Sequence, residues 1–78
     1  MKKIQILGAG CAKCKTLMEN TRKAIEEAGV EAEIEKVEDI REIMKFNILV
    51  TPGLVIDGEV KSAGKVLSPG EIRKLLVS

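Results

Sequence analysis

Histidine is absent from this chain of 78 residues, tryptophan and tyrosine are absent too, and Phe46 is its single aromatic. Without imidazole there is no His-based acid–base catalysis, no Ser–His or Cys–His nucleophile pair and no zinc site that needs histidine. One aromatic cannot build a base-stacking platform. Thirteen Lys+Arg against 12 Asp+Glu leave a net charge of +1, so no basic excess argues for nucleic acid either. Long apolar runs are also missing, and nothing approaches the ~18–20 residues of a membrane span. After Met1-Lys2-Lys3 the apolar stretch Ile4-Gln5-Ile6-Leu7 is broken by its glutamine, whereas a signal-peptide core needs ~7–15 apolar residues. The chain reads as complete, soluble and cytoplasmic.

What is present is a compact apolar complement and two cysteines. Hydrophobic residues make up 45% of the chain, enough for one small core without a metal or several disulfides. The expectation is a single domain over residues 1–78, with no repeat, linker or low-complexity segment. Two cysteines separated by two residues in a reducing compartment point to redox or metal chemistry rather than to a structural staple.

Ile4 to Leu7, bounded by Gly8-Ala9-Gly10, reads as a buried central strand. From Cys11 onward, Cys14, Leu17, Met18, Thr21, Ile25 and Ala28 fall on one face of a long helix that Gly29 ends. Glu31 to Glu35 alternates as a half-buried strand whose charges suit a sheet edge. Asp39 to Phe46 reads as a shorter helix with Ile40, Ile43 and Met44 inward, and Asn47 as its left-handed terminator. Gly53 to Ile56 and Glu59 to Ala63 flank Asp57-Gly58, a strong hairpin signal. Ser68-Pro69-Gly70-Glu71 supplies an N-cap, a proline at the first helical position and a capping-box Glu. The last helix then runs from Pro69 to Val77 with Ile72, Leu75 and Leu76 buried. The order β-α-β-α-β-β-α implies a four-stranded mixed α/β sheet: its first two strands are parallel, its last two antiparallel, and helices cover both faces.

Cys11-Ala12-Lys13-Cys14 stands where the first strand hands over to the first helix. A sulfur at a helix N-terminus sees unsatisfied N–H groups and the positive end of the macrodipole, which favour thiolate over thiol. Cys11, at the cap or first turn, is therefore the expected nucleophile. Cys14, one turn in and on the apolar stripe, is the expected resolving thiol. Ala12 and Lys13 between them are supporting positions. Lys13 and Lys15 cost the helix start ~0.3–1 kcal/mol each yet would favour a neighbouring thiolate, and ordinary solvated lysines fit them equally well. Thr51-Pro52 precedes the third strand. A trans proline opening a strand and a cis peptide are both open from the residues alone. A cis bond there would leave the backbone of Thr51 to pair with an extended substrate segment.

A strand, Cys-x-x-Cys at a helix start, a second strand and helix, Thr-Pro, a hairpin and a closing helix resemble the thioredoxin/glutaredoxin superfamily over essentially the whole chain. The Gly-x-Gly-Cys-Ala-x-Cys opening and the length are similar to its small, glutaredoxin-sized redox-active-disulfide members of archaea and bacteria. The resemblance implies a thioredoxin-like fold, attack by Cys11, resolution by Cys14, and substrate guidance by Thr51 beside a cis Pro52. It also implies that Gly64 lines the same groove. Departures accompany it. Thioredoxins proper carry Trp before the first cysteine and Gly-Pro between the pair, where this chain has Gly10 and Ala12-Lys13. They place a buried acid six positions before the nucleophile, where this chain has Gln5, which puts acid-assisted deprotonation of the resolving thiol in question. Glutaredoxins hold glutathione with a Gly-Gly-x-Asp stretch, where this chain has Ser62-Ala63-Gly64-Lys65. The implied reductant is thus a flavin-dependent thioredoxin reductase rather than glutathione.

The leading expectation is a thiol–disulfide oxidoreductase that reduces protein disulfides through Cys11 and Cys14, with no cofactor beyond that pair. Ile48, Leu49 and Val50 are either its docking patch or ordinary core. The alternative is a carrier of Cu(I) or zinc on the same two cysteines, since thiolates select soft ions. A third reading is a binding module with an incidental cysteine pair. Gly8-Ala9-Gly10 resembles the start of a dinucleotide loop, but Lys13 stands where its third glycine belongs. Charged edge strands argue for a monomer.

Overall fold

The computed structural model of the chain describes residues 1–8 and 12–77. Its elements are β1 (Lys2–Leu7), α1 (Ala12–Ala28), β2 (Ala32–Val37), α2 (Ile40–Met44), β3 (Gly53–Ile56), β4 (Glu59–Ala63) and α3 (Pro69–Val77). The expected order is observed. The four strands form one sheet in the order β2-β1-β3-β4, in which β1 pairs β2 parallel and β3 antiparallel, and β3 pairs β4 antiparallel. The charged strand β2 lies at an edge, as its Glu-rich alternation requires. The sheet is mixed because α1 carries the chain across between β1 and β2, while the Asp57-Gly58 turn folds β4 directly back on β3.

Alternation along the two central strands divides the core into two layers. Ile4 and Ile6 of β1 and Leu54 and Ile56 of β3 point to one face, where Leu17 and Ala24 of α1 and Ile72 and Leu76 of α3 cover them. Leu7 and Val55 point to the other face and meet Val37 and Ile43. The first layer holds two helices packed on each other; the second holds only the short α2.

The inward seam of α1 runs through Cys14, Leu17, Thr21 and Ala24, all buried. Met18 and Ile25 are partly buried and flank that layer. Thr21 buries its hydroxyl by donating to the Leu17 carbonyl at 2.7 Å, so its polar atom costs the core no unmet hydrogen bond. Gly29 ends the helix, its N–H donating to the Ile25 carbonyl at 3.0 Å. Asn20 donates through Nδ2 to the Leu67 carbonyl at 2.9 Å, which ties α1 to the segment entering α3.

The expected capping box is present. Ser68 N–H donates to Glu71 Oε1 and Glu71 N–H donates to Ser68 Oγ, each at 3.2 Å. Of the three α3 residues expected inside, Ile72 and Leu76 are buried and Leu75 is only partly so.

The second helix departs from expectation. Asp39 caps α2 by accepting from Arg41 N–H at 2.9 Å, and Ile43 is buried, but Ile40 and Met44 are 70% and 67% exposed. The inward line runs from Ile43 to Phe46 and Ile48 rather than through Ile40 and Met44. After Met44 the chain tightens, with Phe46 N–H donating to the Ile43 carbonyl and Asn47 N–H to the Met44 carbonyl, both at 3.1 Å. At roughly 120° per residue, that turn sets Phe46 on the same side as Ile43 and leaves Met44 off it. Asn47 ends the turn with φ 58, as expected. Among the described residues no helix is long and apolar enough to cross a membrane.

Candidate functional site

Two strand ends build the site. The antiparallel register sets Leu7, the last residue of β1, opposite Gly53, the first of β3. The residue that leaves β1 therefore meets the residue that enters β3. Gly8 is buried, and its N–H donates to the Val37 carbonyl at 2.9 Å, which carries the β1–β2 pairing one residue past the strand. Pro52 is fully buried, Thr51 before it is exposed, and the peptide between them is cis.

The first turn of α1 brings Cys14 to the same place. Cys14 is 3% exposed. A Cβ built on Gly8 would fall on Cys14 Sγ, closer than real side chains come, and would lie 3.5 Å from Thr51 Cβ and 3.7 Å from Pro52 Cα. Cys14 and the Thr51-Pro52 pair, far apart in sequence, thus surround a single point. Gly64 joins them from the end of β4: its N–H donates to the Pro52 carbonyl at 2.8 Å. It has φ 77, and a Cβ there would meet Val50 Cγ2 at 2.7 Å. Val50 therefore lies over Gly64.

Cys11, the expected nucleophile, lies outside the described residues. Ala12 and Lys13, the supporting positions, are exposed at the start of α1, as is Lys15. The three-residue apolar stretch divides between the two readings open for it. Leu49 is 100% and Val50 54% exposed, whereas Ile48 packs into the second core layer. Gln5, at the position where a buried acid would stand, is half-buried. It donates through Nε2 to Glu35 Oε1 at 3.1 Å across the β1–β2 register. That pair lies along an open groove of about 280 Å³ that Phe46, Glu38 and Glu42 also line.

One residue of this cluster escaped the sequence reading, Gly8. It carries a signal, a glycine directly after a buried strand, but Gly8-Ala9-Gly10 reads there as that strand's boundary and as the opening of the family motif. Val50 belongs to the stretch open as docking patch or core; its contact with Gly64 is not readable from the residues, because it exists only after β3 and β4 pair.

A buried cysteine at a helix start, set against the end of a central strand and a Thr-Pro peptide, defines a thioredoxin-like α/β protein. A family profile described as a thioredoxin domain matches residues 2–77. A thioredoxin of Methanothermobacter thermautotrophicus is 46% identical over 76 residues, covering 97% of this chain and 99% of that protein. A thioredoxin of Methanocaldococcus jannaschii is 45% identical over 75 residues, covering 96% of this chain and 86% of that one. The chain belongs to the thioredoxin family, and so to the thiol–disulfide oxidoreductases. Neither the family nor these relatives lend support to the soft-metal carrier.

Proposed function

We propose that this protein reduces disulfides in other proteins through its Cys-x-x-Cys pair. Cys11 thiolate attacks one sulfur of the substrate disulfide, whose other sulfur leaves as a thiolate and takes up a proton. Cys14 then gives up its proton and attacks Cys11 Sγ. The bond between Cys11 and the substrate breaks, the second substrate thiol departs, and a Cys11–Cys14 disulfide remains. Two electrons have moved from the protein to the substrate. The observation that carries this reading is the packing of Cys14 Sγ against Gly8 beside Thr51 and Pro52. There a buried sulfur waits behind an exposed residue whose backbone can pair with an extended chain.

The exposed side chains of Leu49 and Val50, next to Thr51, supply apolar surface for the incoming protein. A flavin-dependent thioredoxin reductase returns the pair to its dithiol form. The protein acts as a cytoplasmic, monomeric electron carrier of one domain spanning 1–78, with no cofactor but its own disulfide.

The test is a redox titration of the purified protein, with the state of Cys11 and Cys14 read by thiol labelling and mass. The expected result is a two-electron transition in the range of about −180 to −280 mV held by exchange proteins, thioredoxins among them. Failure to form the intramolecular disulfide would overturn the reading. Stoichiometric copper or zinc retained by such a protein would establish the carrier in its place.

A further inference from the structure

We propose that Gly8 is the positioning residue for the resolving thiol, and that its missing side chain is the seat in which Cys14 Sγ rests. The proposal deepens the exchange mechanism above and rests on it. Three observations converge on this residue. Its φ of 150 lies where side chains of L-residues rarely go. The space its Cβ would occupy is already taken by Cys14 Sγ, with Thr51 Cβ and Pro52 Cα forming the far wall. Its N–H is held to the Val37 carbonyl at 2.9 Å, so the backbone cannot drift away to make room. A seat framed by two paired strands is stiff, because a register shift would have to move a whole ladder.

The chemical consequence falls on one step only. Attack on an incoming disulfide uses the other cysteine. Resolution requires Cys14 Sγ to stand in line with the Cys11–substrate bond, so that a new sulfur–sulfur bond forms as the old one breaks. A methyl group at position 8 drives Cys14 Sγ off its seat. Misplacing a reacting atom by ~1 Å costs on the order of 10²-fold in rate. Gly8→Ala is therefore expected to leave the first attack nearly intact and to stall the enzyme as a mixed disulfide.

Dithiobis(nitrobenzoate) separates the two steps, since attack releases one coloured thiolate and resolution releases the second. In rapid-mixing experiments the reduced wild-type protein should give two phases. In Gly8→Ala the first phase should stay within about twofold, while the second slows by about ten- to a hundredfold. Mass measurement should show the aryl mixed disulfide accumulating in between. Equal slowing of both phases would mean a general loss of structure and would overturn the proposal, as would an unchanged second phase. A wild-type protein that itself lacks the second phase overturns the exchange mechanism, and the proposal with it.

A second measurement covers a variant too unstable for kinetics. Thermal unfolding is compared for Gly8→Ala, Cys14→Ala and the double variant. If the sulfur fills the seat, removing it makes room for the new methyl, and the double variant loses less than the two single losses combined. Additive losses, or a double variant that also fails to fold, would put the whole cost in the backbone and refute the contact.

Discussion

Gly64→Ala separates two physical costs that meet at the rim of the site. The backbone at position 64 has φ 77, and an L-residue in left-handed backbone costs about 1–2 kcal/mol. Against that, alanine reduces the freedom of the unfolded chain and returns about 0.4–1 kcal/mol. The added methyl would stand 2.7 Å from Val50 Cγ2. Because Val50 is 54% exposed, it can turn aside rather than displace the backbone, at about 0.5–1.5 kcal/mol for a strained rotamer. The backbone and rotamer costs outweigh the entropy return and leave a net loss of roughly 0.5–3 kcal/mol. In a domain of this size that lowers the melting temperature by roughly 2–25 °C. Urea and thermal unfolding of wild type, Gly64→Ala, Val50→Ala and the double variant would measure it. The double variant should regain the rotamer share and keep the backbone share. A loss below about 0.5 kcal/mol for Gly64→Ala would refute the left-handed turn, that being the range of ordinary surface substitutions. Strictly additive losses would refute the contact with Val50.

Cys14→Ser should trap covalent complexes with protein disulfides, while Cys11→Ser should trap none and abolish exchange; the opposite pattern would reverse the two roles. Ser68→Ala should lower stability by about 0.5–2 kcal/mol in urea unfolding. The double variant with Glu71→Ala should cost less than the sum of the two, because the reciprocal bonds are lost together, and additivity would deny the capping box. Leu49→Ser removes a fully exposed leucine, so stability should change by no more than about 0.5 kcal/mol. Its KM for protein disulfides should rise, and an unchanged KM would take Leu49 out of the docking surface.

Elements framed by sharp local chemistry were legible in the sequence to the residue. Gly53–Ile56 and Glu59–Ala63 follow from Asp57-Gly58, and Pro69–Val77 follows from the serine, proline and glutamate that start it. Those signals act within one turn of chain and leave tertiary contacts little to decide. The inward line of α2 was not legible. Ile40, Ile43 and Met44 are spaced for one helical face, but the helix is a single turn and a bit. Packing of Phe46 and Ile48 under β3 then decides which side meets the sheet. In α1 the periodicity identified the right face yet passed over Ala24, whose small side chain gives a weak pattern signal although it is wholly buried. β2 runs on to Val37, past the end its charges suggested, because Val37 is needed to close the second layer and to accept from Gly8. For the site, Cys14, Thr51 and Pro52 could be read as candidates from residue type and order. Their meeting at Gly8 could not, since it depends on the pairing of strands some fifty positions apart.

The register that sets Leu7 opposite Gly53 has a consequence for how the molecule can be divided. The β1-α1-β2 half carries Gly8 and both cysteines; the half from α2 onward carries Thr51, Pro52 and Gly64. Cutting the chain between Val37 and α2 would leave one fragment with both cysteines and another with Thr51 and Pro52, the surface proposed above to receive the substrate. Neither fragment carries all of these residues, and they come together again only where β1 pairs with β3 and α1 packs on α3. Exchange activity in a mixture of the two fragments would therefore count reassembled molecules, which makes this fold a candidate reporter for the proximity of two fused partners.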